Sequence, residues 1–189
     1  LYKGFIMKKN SLVVLVFLIL QFFAFGANAT CDIAQFRFGS TMQDIEKKVK
    51  DMGADTLPAT GTFESIETKQ SLLFAGDDLC KSDSLFKGMP IEMVFLYDKL
   101  VEVRISNFLE NGDTPLLVNW AEKVYGEREN KPRGFYADQP NANWLWEDFS
   151  STVSYSIIGL GYGVEELVVI QSTRHQDLFK KYSEKEERK

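Results

Sequence analysis

The chain has 189 residues, of which 44% are hydrophobic and 26% charged, with 13 Gly and 5 Pro. This balance is that of an ordinary globular protein, and it excludes collagenous, low-complexity and disordered chains. The formal net charge of −5 argues against a nucleic-acid partner, because a phosphate-binding surface needs clustered positive charge.

The first thirty residues have the three parts of a secretory signal peptide. Met7–Lys9 is a basic start, the apolar run Leu12–Leu20 follows, and Ala27-Asn28-Ala29 is a small-x-small cleavage site. The apolar run is shorter than the roughly 20 residues of a membrane-spanning helix. We therefore predict a periplasmic or secreted protein, cleaved near Ala29, with no stable membrane span afterwards. The true start is predicted to follow residues 1–6.

Removing residues 1–29 leaves 19 basic and 27 acidic side chains, a formal charge of −8. An acidic surface suits solubility or a basic protein partner. Residues 174–189 mix six basic with four acidic side chains. This pattern predicts a charged C-terminal helix or tail after one α+β domain at residues 30–173.

Two cysteines, Cys31 and Cys80, are predicted to form one disulfide, because the compartments beyond the membrane are oxidising. The bond would close a loop of about 50 residues, for which chain entropy gives about 4 kcal/mol of stabilisation. One alternative is a lipidated Cys31 with a free Cys80, although residues 28–30 lack the pattern of a lipidation site. A redox pair is the other alternative, but it lacks CxxC spacing.

Two helices are predicted from apolar residues spaced by three and four. The first has about three turns, with Ser40 or Thr41 as its N-cap and Gly53 at its end. The second begins at Thr114-Pro115, with the threonine as N-cap, and ends before Gly126.

Elsewhere the apolar residues alternate. Ile91–Tyr97 and Leu100–Ile105 predict a hairpin joined at Asp98-Lys99. Further strands are predicted at Phe63–Thr68, Ser71–Ala75, Trp144–Trp146, Thr152–Ile158 and Glu166–Ser172. The glycines of 159–163 lie between two strands, so they predict a turn and not a phosphate-binding loop. The fold class is therefore α+β: an antiparallel sheet with two helices packed on one face, plus a C-terminal helix.

An internal repeat would explain this order of elements. A shift of 73 residues places the helix entry 39–53 on 112–126 with four identities, and strand Met93–Tyr97 on Glu166–Ile170. Most of the identities are capping or turn residues that any two helices can share. The sequence therefore leaves two interpretations open, either two tandem helix-plus-sheet units or one unrepeated unit.

The run Phe38–Ile45 resembles the helix entry of small exported α+β modules. Examples are the SmpA/OmlA-type outer-membrane assembly proteins and the tandem-module β-lactamase-inhibitor proteins. The resemblance covers about 15 residues per module. It implies a helix-plus-antiparallel-sheet module that binds other proteins and performs no chemistry.

The sequence contains few residues that could carry out a reaction. His175 is the single histidine and is predicted to be a solvated surface side chain. The acidic stretch Asp77–Asp83 lacks the ligand pattern of an EF-hand and is predicted to be a solvated loop. Glu165 and Glu166 alternate along a predicted strand, so they point to opposite faces. We predict no catalytic residues, no metal site and no cofactor.

Aromatic side chains provide the clearest candidate for a binding site. Phe135, Tyr136, Trp144 and Trp146 bracket the loop 137–143. They pack in the core under one interpretation and form a protein-binding patch under the other. Trp146 is predicted to be buried and Trp144 to be partly exposed.

The predicted function is that of an exported, non-enzymatic protein that binds another exported or envelope protein. Inhibition of a cationic hydrolase would fit the acidic charge. The alternative is an exported carboxylate-dependent hydrolase, because acid/base pairs can come from distant segments.

Overall fold

The computed structural model describes residues 33–54, 68–81, 83–110, 113–127, 143–147, 150–160 and 163–188. All of them belong to one compact unit, Cys31–Lys189. Within these ranges no helix is both long enough and apolar enough to cross a membrane. The predicted strand Phe63–Thr68 lies almost wholly outside the described residues.

Six strands form one antiparallel sheet, and their order is β1-β2-β3-β6-β5-β4. Their bounds are β1 Lys69–Ala75, β2 Pro90–Leu96, β3 Lys99–Leu109, β4 Asn143–Glu147, β5 Ser151–Gly159 and β6 Val164–Ser172. β3 and β6 are the central pair. The turn after Gly159 joins strand to strand, which confirms that the nearby glycines do not open a helix.

Four α-helices accompany the sheet, with bounds α1 Met42–Asp51, α2 Gly76–Leu79, α3 Leu117–Tyr125 and α4 Gln176–Glu186. Single 3₁₀ turns occur at Ile33–Gln35, Ser84–Phe86 and Thr173–His175. The described structure therefore confirms the α+β class with a C-terminal helix.

One face of the sheet carries the hydrophobic core, and we call it the core face. Residues that are register partners across neighbouring strands share a face, as Ile91 and Ile105 do. The buried core-face side chains form one cluster with Ile45 and Val49 of α1 and with Leu117 of α3. Both predicted helices therefore pack on the same face of the sheet.

The N-terminus of α1 is capped as the sequence predicts, by Thr41. The Thr41 hydroxyl accepts a hydrogen bond from the Asp44 backbone at 3.1 Å, and the Asp44 carboxylate accepts one from the Thr41 backbone at 3.3 Å. This reciprocal arrangement is a capping box. At the other end Gly53 has a φ of 71°, a left-handed conformation that favours glycine.

The hairpin of β2 and β3 turns one residue earlier than predicted. Its two central residues are Tyr97 and Asp98, with φ values of 50° and 60°. Two positive φ angles are typical of a type I′ turn, whose twist matches that of antiparallel strands. Asp98 also accepts a hydrogen bond from the Met42 backbone at 3.1 Å, so the turn contacts the start of α1.

The predicted N-cap of the second helix is wrong. Helix α3 begins at Leu117, and its N-cap position, Leu116, has no capping side chain of its own. A glutamate from the sheet replaces Thr114 in this role. Glu166 of β6 accepts hydrogen bonds from the backbone N–H groups of Leu116 and Leu117, at 3.0 and 3.1 Å.

The order of elements contains two successive units of one helix followed by three strands. α1 precedes β1–β3, α3 precedes β4–β6, and the two units meet along β3 and β6. The alignment of Met93–Tyr97 with Glu166–Ile170 is nevertheless wrong, because the strand order makes β3, and not β2, the counterpart of β6. The shift of 73 fails after the first strand because 14 residues join β1 to β2 but only three join β4 to β5.

The C-terminal helix α4 contacts β2. The Lys181 ammonium group lies 4.1 Å from the centroid of the Tyr97 ring, and Lys69 of β1 lies 5.7 Å from that of Tyr182. Val94 and Leu96, on the face opposite the core, are buried at this end of the sheet. We call this second face the outer face.

Candidate functional site

A pocket of about 350 Å³ opens at one end of the core face. Val103 of β3 and Ile170 of β6, which are register partners, line it together with Tyr125 of α3. Its other described lining residues are Ile33, Phe36, Arg37, Phe38, Ser150, Ser151, Ser172, Arg174 and His175. Its volume lies within the range of small-molecule sites.

The segment before α1 forms one wall of the pocket and is held from two sides. The Lys48 ammonium group donates a hydrogen bond to the Gln35 carbonyl and lies 5.3 Å from the centroid of the Phe36 ring. Gly39 donates a backbone hydrogen bond to the Leu100 carbonyl at 2.8 Å. The wall is therefore fixed to both α1 and β3.

His175 is not the solvated side chain that the sequence predicts. It is half-buried in the pocket wall, and its Nδ1 forms a 2.7 Å hydrogen bond with the Ser172 hydroxyl. A Cβ atom added to Gly39 would lie 3.0 Å from His175 Nε2, so the ring packs directly on this glycine backbone. The signal that sequence analysis missed is the three-residue spacing of a serine and a histidine across a 3₁₀ turn.

Two arginines bring positive charge to the pocket. Arg37 and Arg174 are both exposed, and both line it. No described residue forms a salt bridge or side-chain hydrogen bond with either guanidinium group. No carboxylate lies among the described lining residues. The pocket is therefore locally cationic in an acidic chain.

The Ser172–His175 pair does not form the geometry of a hydrolase triad. Ser172 is only 1% exposed, so a substrate cannot reach its hydroxyl in this conformation. A triad also needs a carboxylate to orient the histidine, and the described pocket lining provides none. The pair is better suited to holding the pocket wall than to nucleophilic attack.

Glu166 is the most buried carboxylate of the described residues, with no exposed surface. Besides the two α3 backbone groups, it accepts hydrogen bonds from Asn107 Nδ2 at 2.9 Å and from the Tyr155 hydroxyl at 3.0 Å. Each oxygen therefore has two donors. Glu165, one residue earlier, has Phe108 and Ile158 as register partners on the outer face, so the prediction that the two glutamates point apart is confirmed.

The acidic stretch 77–83 is not the solvated loop that was predicted. Asp77 and Asp78 lie in the first turn of α2, and Cys80 is buried directly after it. Asp77 accepts a hydrogen bond from the Gly88 backbone at 3.2 Å, while Asp83 accepts one from Leu85 at 3.1 Å. The described residues contain no cluster of side chains that could hold a metal ion.

The predicted disulfide can be examined at one end only. Cys80 is 3% exposed and belongs to the hydrophobic core, whereas Cys31 lies outside the described residues. No cysteine among the described residues is free. The pairing of Cys31 with Cys80 stays a prediction.

The predicted aromatic site is described only in part. Phe135 and Tyr136 lie outside the described residues, and the structure gives the backbone register of β4. Trp144 and Trp146 are register partners of Tyr155 and Val153, respectively. Tyr155 and Val153 are both buried core residues. The assignment of the four aromatic residues to a protein-binding site stays a prediction.

A second candidate surface lies on the outer face, where β3, β6 and β5 run side by side. Phe108 and Ile158 are 46% and 37% exposed, and both are register partners of Glu165, which lies between them. We call these three residues the outer-face patch. A Cβ on Gly163 would lie 2.5 Å from Phe108 Cζ, so the phenyl ring packs against the glycine backbone.

The chain matches no protein-family model, no curated protein and no solved structure. The chemistry of the pocket and of the outer-face patch therefore carries the functional argument.

Proposed function

We propose that the chain is an exported protein that binds another exported or envelope protein and catalyses no reaction. The observation that supports this proposal best is the exposed pair of Phe108 and Ile158 on strands of the sheet. Large apolar side chains on a rigid scaffold are typical anchors of protein interfaces, because burying them costs little conformational entropy. The helix entry at Phe38–Ile45, with its resemblance to exported binding modules, is consistent with this proposal.

Export rests on the N-terminal sequence. The basic start, the short apolar run and Ala27-Asn28-Ala29 favour cleavage before Thr30. Intact-mass analysis of the protein recovered from outside the inner membrane should give a chain that begins at Thr30 without a lipid. A diacylglyceryl mass on Cys31, or a retained leader, would contradict this part of the proposal.

The charge of the chain favours a basic partner. Glu165 places a carboxylate between the two apolar side chains of the outer-face patch, and the processed chain carries a formal charge of −8. Opposite charge on the partner would speed association and favour the correct register. A cationic hydrolase such as lysozyme has this chemistry, and inhibition of such an enzyme is the specific form of the proposal.

The buried carboxylates support binding rather than the alternative of a carboxylate-dependent hydrolase. Glu102 and Glu166 are the buried acidic residues of the described part of the chain. Glu102 accepts hydrogen bonds from Arg104 at 2.6 Å and from Gln171 at 3.3 Å, and Glu166 has its four donors. A carboxylate held in this way is unsuited to exchanging a proton with a substrate.

The test compares two variants of equal chemistry on different surfaces. Phe108→Ala removes an anchor of the outer-face patch, while Val124→Ala shortens a side chain on α3 that is 44% exposed. Immobilised protein should enrich a stoichiometric basic partner from an extract of exported proteins. Phe108→Ala should weaken that complex by about 2 kcal/mol, and Val124→Ala should leave it unchanged.

Two results would contradict the proposal. One is that no stoichiometric partner is retained at low ionic strength. The other is a partner whose affinity is the same for the Phe108→Ala and unsubstituted proteins. Glu165→Gln adds a charge test, because it should slow association and reduce the salt dependence of the rate if the partner is basic.

A further inference from the structure

The pocket at the end of the core face combines two chemistries that the proposed protein interface does not use. Phe36, Phe38 and Ile170 provide apolar surface, and Arg37 and Arg174 provide positive charge. The outer-face patch lies on the opposite face of the sheet, so the pocket is a separate feature.

From this combination we propose that the pocket binds a small amphipathic carboxylate. The carboxylate would bind the guanidinium groups of Arg37 and Arg174, and the apolar part would lie against Phe36 and Ile170. Guanidinium groups form the strongest and most directional hydrogen bonds with planar anions.

The electrostatic argument is that the two arginines are uncompensated. No described residue pairs with either guanidinium group, and the described lining contains no carboxylate. Nearby like charges repel one another, so an anion that binds both is favoured. The overall acidity of the chain makes this local positive charge a specific feature of the pocket.

The steric argument is that the pocket is already formed. Its volume of about 350 Å³ can hold a short alkyl chain or an aromatic ring with its carboxylate. Lys48 holds the Gln35–Phe36 wall, and the Ser172–His175 hydrogen bond holds the opposite one. Binding would therefore cost little rearrangement.

The test uses octanoate as the ligand and 1-octanol and butyrate as comparisons. Amide chemical-shift titration of the purified full chain should show saturable shifts at Phe38, Ser151 and Ser172 with octanoate. Octanol lacks the charge and should bind at least about tenfold more weakly. Butyrate should lose about fourfold in affinity for each buried methylene that it lacks.

Variants separate the pocket from general electrostatics. Arg37→Gln and Arg174→Gln should each weaken octanoate binding by about tenfold. Arg188→Gln, which removes the same charge from the exposed end of the chain, should leave it unchanged. Arg174→Lys keeps the charge but loses the paired donors, so it should bind with intermediate affinity. Thermal melts of the four variants should coincide, because all three arginines are exposed.

The proposal would be overturned by any of three results. Octanoate at millimolar concentration might give no saturable shifts, or its shifts might map away from the pocket. Octanol might bind as tightly as octanoate. Both pocket variants might bind octanoate as the Arg188→Gln protein does.

Discussion

The carboxylate of Glu166 accepts a hydrogen bond from the backbone N–H of Leu117 at 3.1 Å, so a strand of the sheet caps the N-terminus of helix α3. The first N–H groups of a helix have no partner inside the helix, and a negative charge placed there also interacts favourably with the helix dipole. A single buried side chain therefore fixes the position of α3 on β6.

Replacement of Glu166 by Ala should destabilise the fold by about 3 kcal/mol or more. The change leaves four donors without their acceptor, on Asn107, Leu116, Leu117 and Tyr155. Glu165→Ala is the matched control, because its side chain faces the other side of the sheet, and it should cost less than about 1 kcal/mol. Urea unfolding measures both. Equal values for the two variants would refute the capping role.

The capping box of α1 predicts a specific acid sensitivity. Hydrogen bonds from the Thr41 hydroxyl and backbone hold the pKa of Asp44 below its usual value of 3.8. A lowered pKa in the folded state means that this carboxylate stabilises the fold above about pH 4. That contribution is lost as the pH falls through the lowered folded pKa.

The measurement is an NMR titration of the Asp44 side chain. Its midpoint should lie below 3.8, and Thr41→Ala should raise it toward that value, because the hydroxyl is the main cause of the shift. Asp51, at the other end of α1, is the internal reference. A midpoint that Thr41→Ala does not move would contradict the assignment.

Gly76 is predicted to be the glycine least tolerant of substitution. A Cβ at this position would lie 3.0 Å from the Met89 carbonyl oxygen and closer still to that of Phe86, and backbone atoms cannot move aside cheaply. Gly76→Ala should therefore cost about 3 kcal/mol or more. Gly126→Ala has open space and only a positive φ to oppose it, so it should cost about 1 kcal/mol. Thermal melts that rank the two variants in the reverse order would contradict this.

The local features of the fold could be predicted from the sequence because they depend on neighbouring residues. Thr41 with Asp44, and Gly53 after the helix, determine the ends of α1 through contacts three residues apart. Alternating apolar residues likewise indicate β2, β3, β5 and β6. The sequence misplaced the start of α3 because its cap comes from Glu166, 49 residues away from Leu117. Nothing near Thr114 reports that contact.

The pocket could not be predicted for the same reason. Arg37 and Arg174 are separated by most of the chain and meet only because the segment before α1 lies beside the end of β6. His175 looked like an isolated surface residue, since the burial of its ring depends on Gly39. Long-range proximity of single polar residues leaves no periodic signal in a sequence.

The predicted disulfide gives a stability test that does not depend on function. Changing Cys31 and Cys80 to Ser should lower the free energy of unfolding by a few kcal/mol, because the loop of about 50 residues is no longer closed in the unfolded chain. Denatured, non-reduced protein should show no thiol that reacts with a labelling reagent. Two labels per chain would refute the bond, and one label would favour the alternative of a modified Cys31.

The tryptophans of β4 decide whether the predicted aromatic site belongs to the core or to an interface. Trp146 is the register partner of buried Val153, so Trp146→Ala should cost about 3–5 kcal/mol of stability through lost burial and the cavity left behind. For Trp144, nearer the loop, the sequence predicts partial exposure. Trp144→Ala should then leave the melting temperature nearly unchanged and weaken partner binding by about 2 kcal/mol.

Thermal melts of the two variants separate these outcomes before any partner is known. Leu145→Ala is a useful reference between them, because it is the register partner of Ser154, which is half-buried on the outer face. If both tryptophan variants lose about 3–5 kcal/mol, the aromatic residues of β4 belong to the core. An interface would then have to be sought at the outer-face patch of Phe108, Glu165 and Ile158, where the Phe108→Ala variant tests it directly.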